Sequence, residues 1–318
     1  TLDRSSAASD VYKRQPLHIH ARITSRGGAV EIDLAGSSPQ STYGINCTLV
    51  YTYVWAMYTI KCIACPTVPN NEGSFAPIRV VAPEGCFLNP TFPAPVKMKP
   101  SSGHYVPIAI LDALKDVVGE RMLAESGNKS LVYLAGQLPS GDAFSDLIFV
   151  MGGMGARIRK DGLHCMSFPA NSSNIPGEVL EGVAPIRVRR KELRPDSGGA
   201  GRYRGGCGQI FEFESVSELP ITVRAEHGKL MTAPQGLHGG RPGMGGRHAV
   251  NGESIDDKLP VILQAGDVMT IEIPGSGGVG SVAERDSAAV ARDVADGVVS
   301  EDTAFADYGY RAAPDVID

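Results

Sequence analysis

The chain has 318 residues, 42% hydrophobic and 20% charged, with a formal net charge of −5. That length allows one large domain or two smaller ones around a buried core, and that composition excludes a disordered chain. The acidic balance leaves no electrostatic footprint for nucleic acid or for an anionic membrane surface.

The first fifteen residues, TLDRSSAASDVYKRQ, differ in character from the rest of the chain. Asp10 to Gln15 matches one reading frame of a common transposon mosaic-end adapter, so residues 1–15 read as adapter-derived and disordered. A natural disordered terminus has a similar composition. On the adapter reading, the open reading frame is cut ahead of Pro16 and a front half is missing.

From Leu17 the chain alternates, with Leu17, Ile19, Ala21 and Ile23 on one face and His18, His20 and Arg22 on the other. That is the period of a half-buried strand. Arg26-Gly27-Gly28 makes a turn and Val30–Leu34 returns, forming a hairpin. Cys47 to Cys65 is strongly apolar but carries Thr48, Thr52, Thr59 and Lys61, which points to a buried core helix ending at Pro66 rather than a membrane span. Ile78–Ala82 is a short strand closed by a Pro83-Glu84-Gly85 turn. Val106 to Leu123 has helical periodicity, with Pro107 in its first turn. Short strands lie near Leu131–Leu134, Leu147–Val150, Ile186–Arg190, Ile210–Glu214, Ile221–Arg224, Val261–Leu263 and Val268–Ile273. A small amphipathic helix spans Ser287–Ala295, and an acidic, loosely held tail closes the chain at 311–318. The 38 glycines and 22 prolines joint these elements. The fold class is α+β: mixed, strand-rich, with a few buried helices and glycine-rich loops.

Six cysteines, Cys62 and Cys65 among them as a lone C-x-x-C, show no disulfide framework and no zinc spacing. They read as buried, reduced thiols, which fits a cytoplasmic protein. No H-x-x-x-H, H-E-x-x-H or G-x-S-x-G pattern occurs, so no metal site and no catalytic triad is assigned. Pro274-Gly-Ser-Gly-Gly-Val-Gly280 lacks the lysine and hydroxyl of a phosphate-binding loop and reads as a tight turn with positive φ angles. Gly152-Gly-Met-Gly-Ala156 is either a buried crossover or a substrate-facing loop. Asn171 and Asn174 lie in a polar loop where they would bond a cyclic amide or satisfy their own backbone. The run Arg194–Gly206 holds Arg194, Asp196 and Arg204 among many glycines; it is a carboxylate clamp or an ion-paired structural turn.

In chain order, several stretches resemble the hydantoinase B/oxoprolinase family. They are Asp33–Gln40, Pro77–Gly85, Gly152–Ala156, Asn174-Ile-Pro176 with Glu178, Leu193–Gly206 and Pro274–Gly278. Each is weak alone; the ordered set from Leu17 to about Tyr308 is specific. The resemblance implies that residues 16–310 are the C-terminal portion of a B-type subunit. It implies a role in ATP-dependent hydrolysis of carbon–nitrogen bonds in hydantoins or 5-oxoproline, or, as the alternative, in acetone or acetophenone carboxylation. A scaffolding role within either complex is a third reading. It also implies a hetero-oligomer with a hydantoinase A-type ATP-binding subunit, which holds ATP and magnesium. The family's divalent metal belongs to the absent front half, so no ligand is carried over to this chain. On this reading the chain alone is inactive. Where members often show a His-Thr-His element, this chain has Leu163-His164-Cys165, which puts any role for His164 in doubt.

Overall fold

The computed structural model describes residues 2–9, 16–166, 168–170, 172–226, 232–255 and 260–311. The chain forms two compact units, Thr1–Met122 and Leu123–Asp318.

The first unit is built on a sheet of order β1-β2-β3-β4, formed by β1 (Leu2–Ser9), β2 (Pro16–Arg26), β3 (Ala29–Asp33) and β4 (Ile78–Val81). The alternation in β2 is realised: Leu17, Ile19, Ala21 and Ile23 are buried, while His18 and Arg22 are exposed. Gly27 and Gly28 both take positive φ, the conformation that a two-residue hairpin loop demands. The expectation of disorder over residues 1–15 is not met where the backbone is described. Leu2–Ser9 pairs antiparallel with β2, from Leu2 opposite Ile23 to Ser9 opposite Pro16. An uncovered strand edge offers a row of N–H and C=O groups that can accept such a partner regardless of its side chains. Residues 10–15 lie outside the described residues.

β3 and β4 are parallel, joined through α1 (Leu49–Ala64) and the short α2 (Glu72–Phe75). A parallel pair needs such a crossover. α1 buries Ala56, Met57 and Ile60, but Val50, Tyr53 and Val54 face outward, so the helix is only half the core element expected. The short α3 (Lys99–Gly103) leads into α4 (Tyr105–Leu114). The helix expected to run to Leu123 stops at Leu114. Turns come next, and Gly119, at φ +59, opens a single 3-10 turn over Gly119–Arg121. Val117, beyond the helix end, is exposed.

The second unit contains two antiparallel sheets. One has the order β12-β9-β5-β6, with β5 (Lys129–Gln137), β6 (Ala143–Met151), β9 (Ile221–Glu226) and β12 (Val261–Leu263). The other has the order β11-β10-β13-β8-β7, with β7 (Ile186–Leu193), β8 (Gln209–Ser215), β10 (Arg247–Val250), β11 (Glu253–Ser254) and β13 (Val268–Glu272). Their inward faces share one core, in which Val132, Ile148 and Val223 of the first meet Phe211, Phe213 and Ile271 of the second. α5 (Gly177–Val183) adds Leu180 to it.

Beside the sandwich, glycine-rich segments pack backbone on backbone. Segments around 123–128, 152–165, 194–208, 233–244 and 273–281 cross-link through main-chain bonds. Gly199 N–H donates to Ser276 O, Ala156 N–H to Gly277 O, Leu237 N–H to Gly278 O and Gly206 N–H to Met154 O. A Cβ on Gly153 would lie 1.9 Å from Gly206 O, and one on Gly275 would lie 1.9 Å from Ser197 O. Glycine is therefore required for close approach. This resolves Gly152–Ala156 as a buried crossover. It corrects the reading of Pro274–Gly280 as a positive-φ turn, since only Gly280 of that run has positive φ. α6 (Ser287–Ala295) and α7 (Glu301–Tyr308) pack on this lattice through Cys207, Val290, Val299 and Ala304. α7 lies where no element is expected ahead of the tail. Ser300 caps its first turn by accepting from Thr303 N–H, and Gly309 ends it in the left-handed conformation. Residues 312–318 lie outside the described residues.

Candidate functional site

The arginine-rich run is held internally. Arg204 is buried and forms a two-pronged pair with Asp293 of α6, Nε to Oδ2 at 3.1 Å and Nη2 to Oδ1 at 3.0 Å, and it donates to Gly205 O. Arg285 bridges the same Asp293 at 2.5 Å and grips Asp161 at 2.9 and 3.0 Å. Two guanidinium groups and two carboxylates thus neutralise one another, with Arg204, Arg285 and Asp293 buried and Asp161 half-buried. Burial pushes the Asp161 carboxyl up, but the Arg285 guanidinium, helped by Arg204, outweighs it and holds the carboxyl below its ordinary range. Arg194 donates to Gly245 O at 2.5 Å and pairs with Glu272 at 3.2 Å. Asp196 sits at φ +61, and its Oδ1 accepts from Ser300 N–H at 2.8 Å, anchoring the start of α7. Arg194, Asp196 and Arg204 therefore each have a partner within the protein and join the lattice to its surroundings.

His164 has a similar position. Its Nδ1 accepts from Cys207 N–H at 3.0 Å, which places the ring proton on Nε2. Burial, and then the nearby Arg204 charge, lower its pKa. Cys165 is pushed up to about 12 by burial, with Cys207 adding to the rise. All six cysteines are free, but Cys62 is exposed, correcting the expectation that every thiol is buried.

The polar loop gives a different picture. Asn171 lies outside the described residues. Asn174 is exposed; its Oδ1 accepts from Gln209 Nε2 at 3.2 Å, and Gln209 Oε1 in turn accepts from Met151 N–H. Met151 is the register partner of Lys129 at the first position of β5. The Lys129 ammonium donates to Ser172 Oγ at 2.8 Å and lies 4.3 Å over the Phe149 ring. Phe149 faces Leu131, so it is the diagonal neighbour of Lys129 on the same face of the β5–β6 pair. Burial lowers the Lys129 pKa. From the other side, Lys191 of β7 donates to Ile175 O. Lys129 with Ser172, and Asn174 with Gln209, thus form two polar pairs that tie the loop to β5 and to β8, with a half-buried cation in the first. Of these four, the sequence pattern singles out Asn174 alone. Lys129 carries no signal because its partner Ser172 is 43 residues away.

Among the described residues, no group of three or more His, Cys, Asp or Glu side chains could hold a metal ion. Among the described residues, no helix is long and apolar enough to cross a membrane.

The second unit thus presents a glycine-bonded lattice fused to a two-sheet sandwich, with a polar loop beside the first residue of β5. Comparison with known proteins gives the family: residues 2–282 match the model for hydantoinase B/oxoprolinase, and the chain belongs to that family. It is 32% identical to a protein assigned as the B subunit of a D-/L-hydantoinase from Pseudomonas sp. (strain NS671), over 95% of this chain and 53% of that one. Its fold matches an ATP-dependent caprolactamase from Pseudomonas jessenii with TM-score 0.86 at 24% identity, covering 98% of this chain and 57% of the other. It also matches acetone carboxylase with TM-score 0.81 at 18% identity, covering 99% and 50%. At these identities the two structures speak for the fold alone. The chain spans about half the length of the hydantoinase subunit it matches.

Proposed function

We propose that this chain is part of the B-type subunit of an ATP-dependent cyclic-amide hydrolase, acting on the carbon–nitrogen bond of hydantoins, 5-oxoproline or a related lactam. The observation that carries this reading is 32% identity along nearly the whole chain to a protein assigned as a hydantoinase B subunit. The 30% identity to the beta subunit of a caprolactamase points to the same chemistry. The likeness to acetone carboxylase is in fold, so ring opening is preferred over ketone carboxylation. In this reading an A-type partner binds ATP and magnesium and transfers the terminal phosphoryl group to the amide oxygen. That converts a poor electrophile into one that water attacks; the C–N bond breaks, phosphate departs and the ring nitrogen takes a proton. A divalent metal, where the reaction uses one, sits on residues outside this chain. The complex is a cytoplasmic hetero-oligomer, a location with which six free thiols are compatible.

The test is to reconstitute the full-length subunit with its ATP-binding partner and follow ADP release and ring opening with 5-oxoproline, hydantoin and caprolactam. ATP-dependent opening of at least one ring is expected. Absence of opening with all three, combined with bicarbonate-dependent consumption of acetone or acetophenone, would replace this reading with the carboxylase.

A further inference from the structure

One side of α1 has the same chemistry along its whole length but is covered over only half of it. Val50, Val54, Met57 and Lys61 follow the i, i+4, i+7, i+11 spacing of a single helical row, and Tyr53 and Ile60 belong to the row beside it. In the C-terminal half, Met57, Ile60 and Lys61 are buried. The crossover that follows α1 folds back there: Lys61 Nζ donates to Val68 O at 3.0 Å and lies 5.7 Å from the centroid of the Phe75 ring. In the N-terminal half the same rows are open, with Val50 73%, Val54 55% and Tyr53 37% exposed. No charged residue precedes Lys61 in the helix. A helix face built for water carries polar and charged side chains, whereas this one continues the apolar face that the crossover covers.

We infer that Val50, Tyr53 and Val54, the open half of this α1 face, are the docking surface for an apolar segment of the B-type polypeptide that lies outside this chain. This rests on the reading above that the chain is part of a B-type subunit. Two quantities select that occupant. The first is length: the chain covers 53% of the hydantoinase subunit and 57% of the caprolactamase structure, so both relatives extend well beyond it. The second is area. Three side chains over two helical turns expose on the order of 300 Å². A stable complex between separate molecules buries about 800 Å² on each partner, so a second copy or a free subunit falls short on this surface. A segment of the same polypeptide does not need that area, because its tether supplies a high effective concentration. Docking there would extend the cover that the Val68–Phe75 crossover begins.

The experiment is hydroxyl-radical footprinting, read residue by residue by mass spectrometry, on this chain, on the full-length B-type subunit and on that subunit with its ATP-binding partner. Tyr53 and Val54 should oxidise readily in this chain and be protected several-fold in the full-length subunit alone, while the buried Met57 stays protected in both. Equal oxidation in the chain and the full-length subunit would overturn the inference. So would protection that appears only when the ATP-binding partner is added, which would make that subunit the occupant. Protection already present in this chain would do the same: at low concentration it would mean that the chain covers the face itself, and at high concentration, with a dimer in sedimentation, that a second copy does. Val50→Asp gives a second readout with opposite signs. The first turn of α1 has no acidic residue, so the new carboxylate meets the positive end of the helix dipole. In this chain Val50→Asp should leave the melting temperature unchanged or raise it. In the full-length subunit it should lower the melting temperature by about 2–4 °C or more and restore oxidation of Tyr53. The same small effect in both proteins would count against docking. Neither readout uses turnover, so a reconstituted complex that opens no ring would sink the hydrolase reading and leave the docking surface standing.

Discussion

His248 offers a direct measure of what an unsatisfied polar side chain does inside this sandwich. It sits in β10 opposite Ile271 of β13, is 2% exposed, and among the described residues has no hydrogen-bond partner on either ring nitrogen. Burial pushes its pKa down from 6.5 to about 4. The folded-state value is thus below the unfolded one, so as pH falls through 6.5 the unfolded chain takes up a proton that the folded chain refuses. Stability is lost over that window, and the loss is complete once pH passes below about 4. At about 1.4 kcal/mol per pH unit, the loss is about 2 kcal/mol at pH 5 and about 3 kcal/mol at the acid end. His248→Met keeps the volume approximately and removes the titration. At pH 8 it should be neutral or stabilising by about 1 kcal/mol, because two buried polar atoms disappear. At pH 5 its advantage should widen by the further ~2 kcal/mol that linkage assigns to the imidazole. Urea unfolding at several pH values, read by hydrogen exchange of the β8, β10 and β13 amides, measures both. Parallel acid slopes for wild type and His248→Met would refute the argument, as would an imidazole that titrates near its ordinary value by NMR.

Further outcomes rest on the same structure. Gly155→Ala places a Cβ 1.8 Å from Ala124 O, an overlap with backbone that should cost about 3 kcal/mol or more or abolish soluble protein. Gly182→Ala in α5 meets nothing within 4 Å and should stabilise by up to about 1 kcal/mol; equal melting temperatures for the two variants would count against backbone packing as the cause. Asp293→Ala leaves Arg204 without its carboxylate and should lower the stability of the second unit by about 3 kcal/mol in urea titrations, whereas a loss below about 1 kcal/mol would mean that the pair is solvated in practice. Under native conditions iodoacetamide should modify the exposed Cys62 before any other thiol, and slowly because partial desolvation of its sulfur raises its pKa; mass spectrometry showing Cys47, Cys86 or Cys207 labelled first would contradict the burial assigned to them.

The elements legible in the sequence are those in which side chains alternate against water. β2 is one, and the helix Ser287–Ala295, whose expected bounds coincide with α6, is another. α7 escapes sequence reading although Ser300, two acidic first-turn residues and Gly309 bracket it, because its interior carries almost no apolar stripe. The helix after Val106 reads too long in the sequence because the periodic pattern continues past Leu114, where turns replace the helix. The glycine lattice has no side-chain periodicity, so its architecture leaves no pattern to read; only its family resemblance is visible. Part of the candidate site is invisible for a different reason. Lys129 and Ser172 are ordinary residues until the β5–β6 pair and the loop after it bring them together, whereas the conspicuous arginines are joined to Asp293, Glu272 and main-chain carbonyls.

The lattice also shapes how the second unit responds to temperature. Its segments meet through peptide groups, so its unfolding hydrates N–H and C=O far more than hydrocarbon. Hydration of apolar surface raises the heat capacity of unfolding, while hydration of polar surface lowers it. The sandwich contributes the first kind of surface and the lattice the second. Calorimetry of this protein should therefore give a heat-capacity increment per residue below the ordinary range of about 12–15 cal/mol/K. A smaller increment flattens the stability curve, so folding would weaken less on cooling than in a sandwich of equal size built from side-chain packing alone.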